Sequence, residues 1–200
     1  MTTKARKRTV NPGLMKTGVW NVRGCCRKNK KNANVRTAVI EETKKKLKGS
    51  QLLDDYILLY IGVPKNKRAA SVIAIMIKAK FKKRILCYVF VKERILKLRY
   101  KLQRGYLTLL AVYAPEEEKT VQTEEFYETL QDQIDKISKD DYTAVAGVYN
   151  ARVGNIPTDG ILCTNDEIIN TSNGHKLKEF APVNILKITN TFFIHKGFIK

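Results

Sequence analysis

Ile95-Leu-Lys-Leu-Arg-Tyr-Lys-Leu102 alternates apolar and basic side chains along its whole length: Leu96, Leu98, Tyr100 and Leu102 fall between Lys97, Arg99 and Lys101. A period of two is that of a β-strand with one dry face and one basic face. Gln103-Arg-Gly105 turns the chain into Tyr106-Leu-Thr-Leu-Leu-Ala-Val-Tyr113, which is apolar on both faces and therefore predicted to be central in its sheet. Pro115 ends it, because proline cannot continue a central ladder. Working outward, Ala38-Val-Ile40, Tyr56–Tyr60, Val72–Ile77 and Ile85–Phe90 are short runs dominated by β-branched and aromatic residues, which favours strands. Thr123 is placed to cap a helix whose apolar residues Phe126, Leu130, Ile134 and Ile137 share a stripe, with Glu124 and Glu125 in its first turn. A strand Tyr142–Ala146, a helix around Leu177 to Ala181 and a strand Ile185 to Phe193 complete the pattern. This order predicts an α/β (α+β) chain built as a two-sheet β-sandwich flanked by helices.

The 200 residues, 44% of them apolar, suit one domain with a real core. Residues 1–14 are polar, basic and broken by Pro12-Gly13, which predicts a disordered arm ahead of a domain over 15–200. Lys and Arg number 38 against 19 Asp and Glu, and the net charge of +19 makes a polyanion the natural partner. The excess is densest from Lys4 to Lys48, in "KARKR", "RKNKK" and "KKKLK". None of these runs has the apolar face of an interfacial helix, and no apolar stretch is long enough to span a bilayer, so membrane partners are not expected. Cys25 and Cys26 are adjacent while Cys87 and Cys163 stand alone, so neither a CxxC pair nor a zinc set with His175 and His195 forms. Reduced thiols of an intracellular protein are the expectation, and "KARKR" is a weak nuclear address.

Asn21, Glu42, Tyr113 and Asn150 lie at or just beyond strand ends. A metal-dependent phosphodiesterase needs such an arrangement: an oxygen ligand holds Mg²⁺ against phosphate while donors stabilise developing charge. Singly, each has a structural explanation, as turn former, solvated charge, core tyrosine and loop cap respectively.

Their order and flanking words add more. "WNVRG" (Trp20–Gly24), "EETK" (Glu41–Lys44), "VYAP" (Val112–Pro115) and "GVYNARVGN" (Gly147–Asn155) resemble, in sequence order, the motifs of the endonuclease/exonuclease/phosphatase family. The resemblance is closest to the AP-endonuclease-like domain of RTE-type non-LTR retrotransposons and the derived craniofacial-development-protein-2-like proteins. "GVPKNKRA" (Gly62–Ala69), "ERILKLRYKL" (Glu93–Leu102), "NGHKLKEFA" (Asn173–Ala181) and "ITNTFFIHK" (Ile188–Lys196) match that subgroup as well.

The resemblance implies that Asn21 lies at the phosphate and metal site, and that Glu42, with Glu41 as the alternative, is the Mg²⁺ ligand. It implies that Tyr113 polarises the scissile phosphate and that Asn150 orients the attacking water. Family members read "GDFNA" or "GDLNA" where this chain reads Gly147-Val-Tyr-Asn-Ala151, so Val148 stands where the water-activating aspartate is expected. Valine neither accepts a proton nor holds a metal-bound water. The resemblance further implies that the C-terminal part of the fold, with its Asp-His pair, is missing after Lys200. The faces of Val72–Ile77 and Leu107–Val112 are then expected to lie open. Val72 replaces a glycine and is expected to crowd the backbone. Three readings follow: a Mg²⁺-dependent DNA endonuclease; a degenerate nuclease that binds DNA through Arg23, Lys97, Arg99, Lys101, Arg152 and the basic N-terminal third; and an interaction scaffold reusing the fold.

Overall fold

The computed structural model of the chain describes residues 17–21, 36–41, 43, 45–62, 64, 66 and 72–193. The basic arm, Arg23, Cys25, Cys26, Glu42 and His195 lie outside the described residues.

The alternating segment is strand β7 (Ile95–Lys101). It pairs antiparallel with β6 (Ile85–Lys92) on one side and β8 (Tyr106–Tyr113) on the other, and β9 (Asp141–Val148) adds parallel to β8. The resulting four-stranded sheet has the order β6-β7-β8-β9. The other sheet has five strands, β1 (Thr17–Asn21), β2 (Thr37–Glu41), β3 (Lys48–Leu53), β4 (Tyr56–Ile61) and β5 (Ile73–Lys78), in the order β1-β2-β5-β4-β3. Only β1 and β2 run parallel within it.

The dry face of β7 packs where its period predicts. Leu96, Leu98 and Tyr100, with Leu109 and Ala111 of β8, meet Val39, Leu59, Ile73, Ile75 and Ile77 of the five-stranded sheet. Two inner faces thus bury each other, each large aliphatic side chain contributing about 1.5–3 kcal/mol. The expectation of open faces on Val72–Ile77 and Leu107–Val112 is therefore corrected: Val72 through Met76 and Ile77 are 0–6% exposed, and Leu109 to Val112 are fully covered. Val72 itself is buried at the entrance to β5. The partly open element is instead β9, an edge strand whose eight residues are all half-buried.

The other face of β7 turns toward α1 (Thr120–Asp135), where Ile95 joins Leu110, Val112, Phe126 and Leu130. The helix starts earlier than its sequence suggests. Lys119 holds the cap position without a side-chain cap, and Thr123 lies one turn inside, its hydroxyl donating to the Lys119 carbonyl at 3.0 Å. This back-bonding satisfies a buried hydroxyl that the sequence offers equally well as a cap, and it places Glu124 and Glu125 beyond the first turn. The later helix is α2 (Ser172–Val183), capped by Thr171, whose hydroxyl accepts from the Gly174 amide at 3.3 Å. The strand expected over Ile185–Phe193 does not form. Ile185 has φ +54 and is exposed, and Thr189–Phe192 is a 3-10 turn in which the buried Thr191 hydroxyl donates to the Ile188 carbonyl at 2.8 Å. β-propensity without a neighbouring strand yields to local hydrogen bonding.

One connection joins the two facing sheets. β5 finishes at Lys78, and a 3-10 turn, Ala79–Arg84, leads directly into β6 at Ile85. Lys78 and Ile85 therefore share one end of the sandwich, and through the strand register so do Tyr100, Leu107 and Tyr142. The opposite end collects the last residues of β1, β2, β8 and β9: Asn21, Glu41, Tyr113 and Val148.

Candidate functional site

Three side chains at that opposite end face the same interior. Tyr113 shares a face of β8 with Leu109 and Ala111, and these pack toward the five-stranded sheet together with Ala144 and Ala146 of β9; alternation puts Val148 on the same face of β9 as those two alanines. Tyr113 and Val148 are direct register partners. From the other side, Glu41 lies on the face of β2 that carries Val39, and it is 0% exposed. Alternation thus aims Glu41 between the sheets. Asn21 is paired with Glu41 in register, so the backbone of β1 ends at the same level. A carboxylate taken wholly out of water is costly unless it is held by partners, and strand ends where that cost is met are where sites concentrate. Glu42 is outside the described residues; of the two adjacent acids, Glu41 is the one whose position in the fold is defined.

The exit of β9 is fixed by backbone geometry. Gly147 has φ +150 and lies so close to β8 that an added Cβ would stand 1.8 Å from the Val112 carbonyl oxygen. Beyond it the Ala114 amide donates to the Val148 carbonyl at 2.8 Å, and Asn150, in the left-handed region at φ +47, donates from Nδ2 to the Ala114 carbonyl at 2.8 Å. Asparagine tolerates that conformation better than most side chains. Asn173, buried at the start of α2, completes the clamp by donating to the carbonyls of Pro115 (3.1 Å) and Asn150 (3.0 Å). In this structure, then, the Asn150 amide group ties the ends of β8 and β9 together.

The clamp frames a cleft of about 570 Å³ lined by Val148, Asn150, Arg152, Glu116, Glu117 and Thr171. Glu117 accepts from the Asn173 amide at 3.2 Å, a carboxylate at the positive end of α2. Arg152 reaches Glu167 at 3.3 Å while more than half of its side chain stays in solvent, so its charge remains available to a ligand in the cleft. Tyr149 also borders the cleft and packs into the layer beneath α1 and α2, where burial pushes its phenol well above the usual range.

The basic row of β7 lies elsewhere. Lys97 donates to the Gln133 carbonyl of α1 at 3.3 Å, and burial there lowers its pKa from the ordinary lysine value. Arg99 makes a two-pronged pair with Asp141 at 2.8 and 2.9 Å, and Thr108 adds a third donor at 2.7 Å. The guanidinium beside it holds the Asp141 carboxyl below the usual carboxylate range. Lys101 is exposed, at the end of the sandwich away from Val148. A cation the sequence reading did not single out does adjoin the strand ends: Arg94 donates from Nη1 to the Tyr113 carbonyl at 3.3 Å, its guanidinium 6.0 Å from the Tyr113 ring centre. It occupies the hairpin turn between β6 and β7, whose register with β8 could have located it.

The Mg²⁺ implied by the resemblance is not matched by the described residues. No three Asp, Glu, His or Cys side chains among them come together as a metal-holding group, and the aliphatic Val148 occupies the β9 position from which a carboxylate would act. Cys87 and Cys163 are free thiols. Among the described residues no helix is long and apolar enough to cross a membrane.

Two mostly antiparallel sheets with flanking helices are the fold of the AP endonuclease LMAP from Leishmania major, with a TM-score of 0.59 at 13% identity, covering 90% of this chain and 71% of that one. They are also the fold of the endonuclease domain of TRAS1, a telomere-specific non-LTR retrotransposon, with a TM-score of 0.53 at 14% identity over 83% of this chain and 70% of that one. The architecture is that of these two endonuclease structures. In sequence the chain is similar to craniofacial development protein 2 of Bos taurus, 28% identical over 188 residues and 88% of this chain, and to that of Tragulus javanicus, 27% identical over the same length. It spans about a third of the length of these curated relatives, 31% and 32%. No protein-family model matches it.

Proposed function

We propose that this chain is an endonuclease/exonuclease/phosphatase-type domain of nuclease ancestry whose strand-end site no longer hydrolyses phosphodiesters and which acts by binding DNA. The observation that carries this reading is Val148 at the end of β9, paired with Tyr113 and, by alternation, on the face of β9 whose Ala144 and Ala146 pack toward the sheet that holds the buried Glu41. Hydrolysis needs a group there that takes a proton from water as it attacks; an isopropyl side chain has neither lone pair nor charge. Loss of a positioned general base costs about 10²–10⁴ in rate. The remaining groups keep the means to bind a phosphate. Tyr113 presents a phenol, Asn150 fixes the loop, and Arg94 and Arg152 bring positive charge to either side. Glu41, the alternative to Glu42, is the acid of the site among the described residues. The net charge of +19 supplies long-range attraction for a nucleic acid.

The test is plasmid nicking with Mg²⁺ supplied. Wild type is expected to leave supercoiled DNA intact while retarding it in a gel. Val148→Asp is expected to gain nicking that Glu41→Gln abolishes. Nicking by the wild-type chain that is lost on Glu41→Gln overturns the proposal in favour of an active endonuclease.

A further inference from the structure

The 3-10 turn joining the two sheets carries a cluster of cations that the strand-end site does not use. From Tyr56 to Lys92 the chain has no acidic residue, and within Ala79–Arg84 four of six residues are Lys or Arg. The ring of Phe81 explains how they are held. It packs against the core between the sheets, with Arg36, Lys80 and Arg84 placed 5.6, 5.4 and 5.8 Å from its centre. Each cation gains from the face of the ring, and the anchored ring fixes the turn. Residues three apart eclipse in a 3-10 turn, so Phe81 and Arg84 share the inner side while Lys80 and Lys83 share an outer one, with Lys82 beside them. Lys80, Lys82 and Lys83 are exposed, and none has an ion pair among the described residues. The nearest acids on the adjoining turn are Asp54 and Asp55; Asp55 meets this segment through its carbonyl, which accepts from the Ala79 amide at 2.6 Å. Asp141, on the same end, is engaged by Arg99 and Thr108.

Like charges crowded on a rigid turn repel one another, and a polyanion relieves that repulsion. Lys80 and Lys83 are separated by roughly 6 Å along the turn axis at about 2.0 Å per residue. Phosphates on one strand of a duplex advance about 3.4 Å each, so the pair spans close to two phosphate steps. The only apolar side chain larger than alanine in the turn, Phe81, points inward, leaving nothing on the turn to insert into a lipid surface. We propose that Lys80, Lys82 and Lys83 form a second nucleic-acid contact, a phosphate-backbone dock at the end of the sandwich opposite Val148. It stands independently of the strand-end reading, because it requires no chemistry at the cleft.

The test measures binding of the full chain to a fluorescein-labelled DNA duplex across a salt series. Removing three phosphate contacts is expected to flatten the slope of log K against log salt by roughly 2–3 in Lys80→Ala/Lys82→Ala/Lys83→Ala. The control Lys92→Ala/Lys139→Ala/Lys187→Ala removes the same formal charge from exposed, scattered sites and is expected to change the slope by well under half as much. Equal effects of the two triples, or no effect of the first, overturn the proposal. So does a wild-type chain that ignores the duplex but binds vesicles containing phosphatidylserine. Acetylation footprinting of the wild-type chain gives a readout that does not depend on the variants folding. Protection of Lys80, Lys82 and Lys83 by the duplex, with Lys139 unprotected, supports the dock, and uniform reactivity refutes it.

Discussion

Gly147→Ala probes the joint on which the site rests. An added Cβ would stand 1.8 Å from the Val112 carbonyl oxygen, 2.8 Å from its carbon and 3.0 Å from its nitrogen. A close carbon–oxygen approach is about 3.3–3.6 Å, so the strands must separate by roughly 1.5 Å, and the obstacle is the backbone of β8, which has no rotamer to move into. Two costs add. Overpacking is worth about 1–3 kcal/mol, and holding an L residue in this conformation about 1–3 kcal/mol more. A middle value of about 4 kcal/mol lowers the Tm by roughly 8–16 °C in a chain of this size. Gly160→Ala is the matched control, since Gly160 has φ +68 but nothing within 4 Å of the added carbon; it carries the conformational strain without the collision. Thermal melts by circular dichroism compare the two. If Gly147→Ala melts within about 3 °C of Gly160→Ala, the close approach of β9 to Val112 is wrong, and the pairing of Val148 with Tyr113 falls with it.

Among the described residues the buried Tyr127 hydroxyl has no hydrogen-bond partner, so Tyr127→Phe is expected to stabilise by about 1 kcal/mol, read as a Tm raised by roughly 2–4 °C. Leu130 is fully buried between α1 and β8, and Leu130→Ala is expected to cost about 2–5 kcal/mol in a denaturant titration. Asp141 has a folded-state pKa depressed chiefly by Arg99, so its contribution is present above the unfolded value near 3.9 and is lost as pH falls through the lower folded value. The Tm gap between wild type and Asp141→Asn should therefore be full at neutral pH and close as the pH falls through the lowered folded-state value; a constant gap would show that the charge is not its source. Arg99→Ala, which removes the partner of Asp141, is expected to lower the Tm with little change in the salt dependence of DNA binding, because that guanidinium is already engaged by a carboxylate.

Strands β7 and β8 were legible because burial on one or both faces writes itself into a period of two or a continuous apolar run. Strand β3, Lys48–Leu53, was not, because an edge strand with mostly exposed side chains carries no such pattern. The Ile185–Phe193 segment misled in the opposite direction, offering β-branched residues with no strand to pair with. At the site, position 148 could be read from flanking words, but the choice between Glu41 and Glu42 could not. Both are acids in one short word, and a local pattern does not say which faces the second sheet; pairing with β1 and β5 gives the placement of Glu41. The basic row of β7 shows the same limit. Periodicity puts Lys97, Arg99 and Lys101 on one side of the strand, yet nothing in a local pattern tells that α1 covers part of that side and that Asp141, far away in sequence, meets Arg99 there.

The identity of residue 148 also bears on stability. A carboxylate there would share the interior with the fully buried Glu41, and two acids facing one enclosed space raise each other's pKa and cost free energy in proportion. Valine avoids that repulsion and adds apolar cover to the half-buried end of β9, so on the proposed reading the residue that lacks a general base also stabilises the fold. Val148→Asp is therefore a two-way test. Without divalent ions the variant is expected to melt below wild type, by an amount that shrinks as the pH is lowered and the acids take up protons. With Mg²⁺ present its Tm is expected to rise, by up to about 2.7 kcal/mol of linkage at a hundredfold excess over Kd, whereas the wild-type Tm stays put. A variant as stable as wild type at neutral pH and indifferent to Mg²⁺ would mean that residue 148 and Glu41 do not face each other.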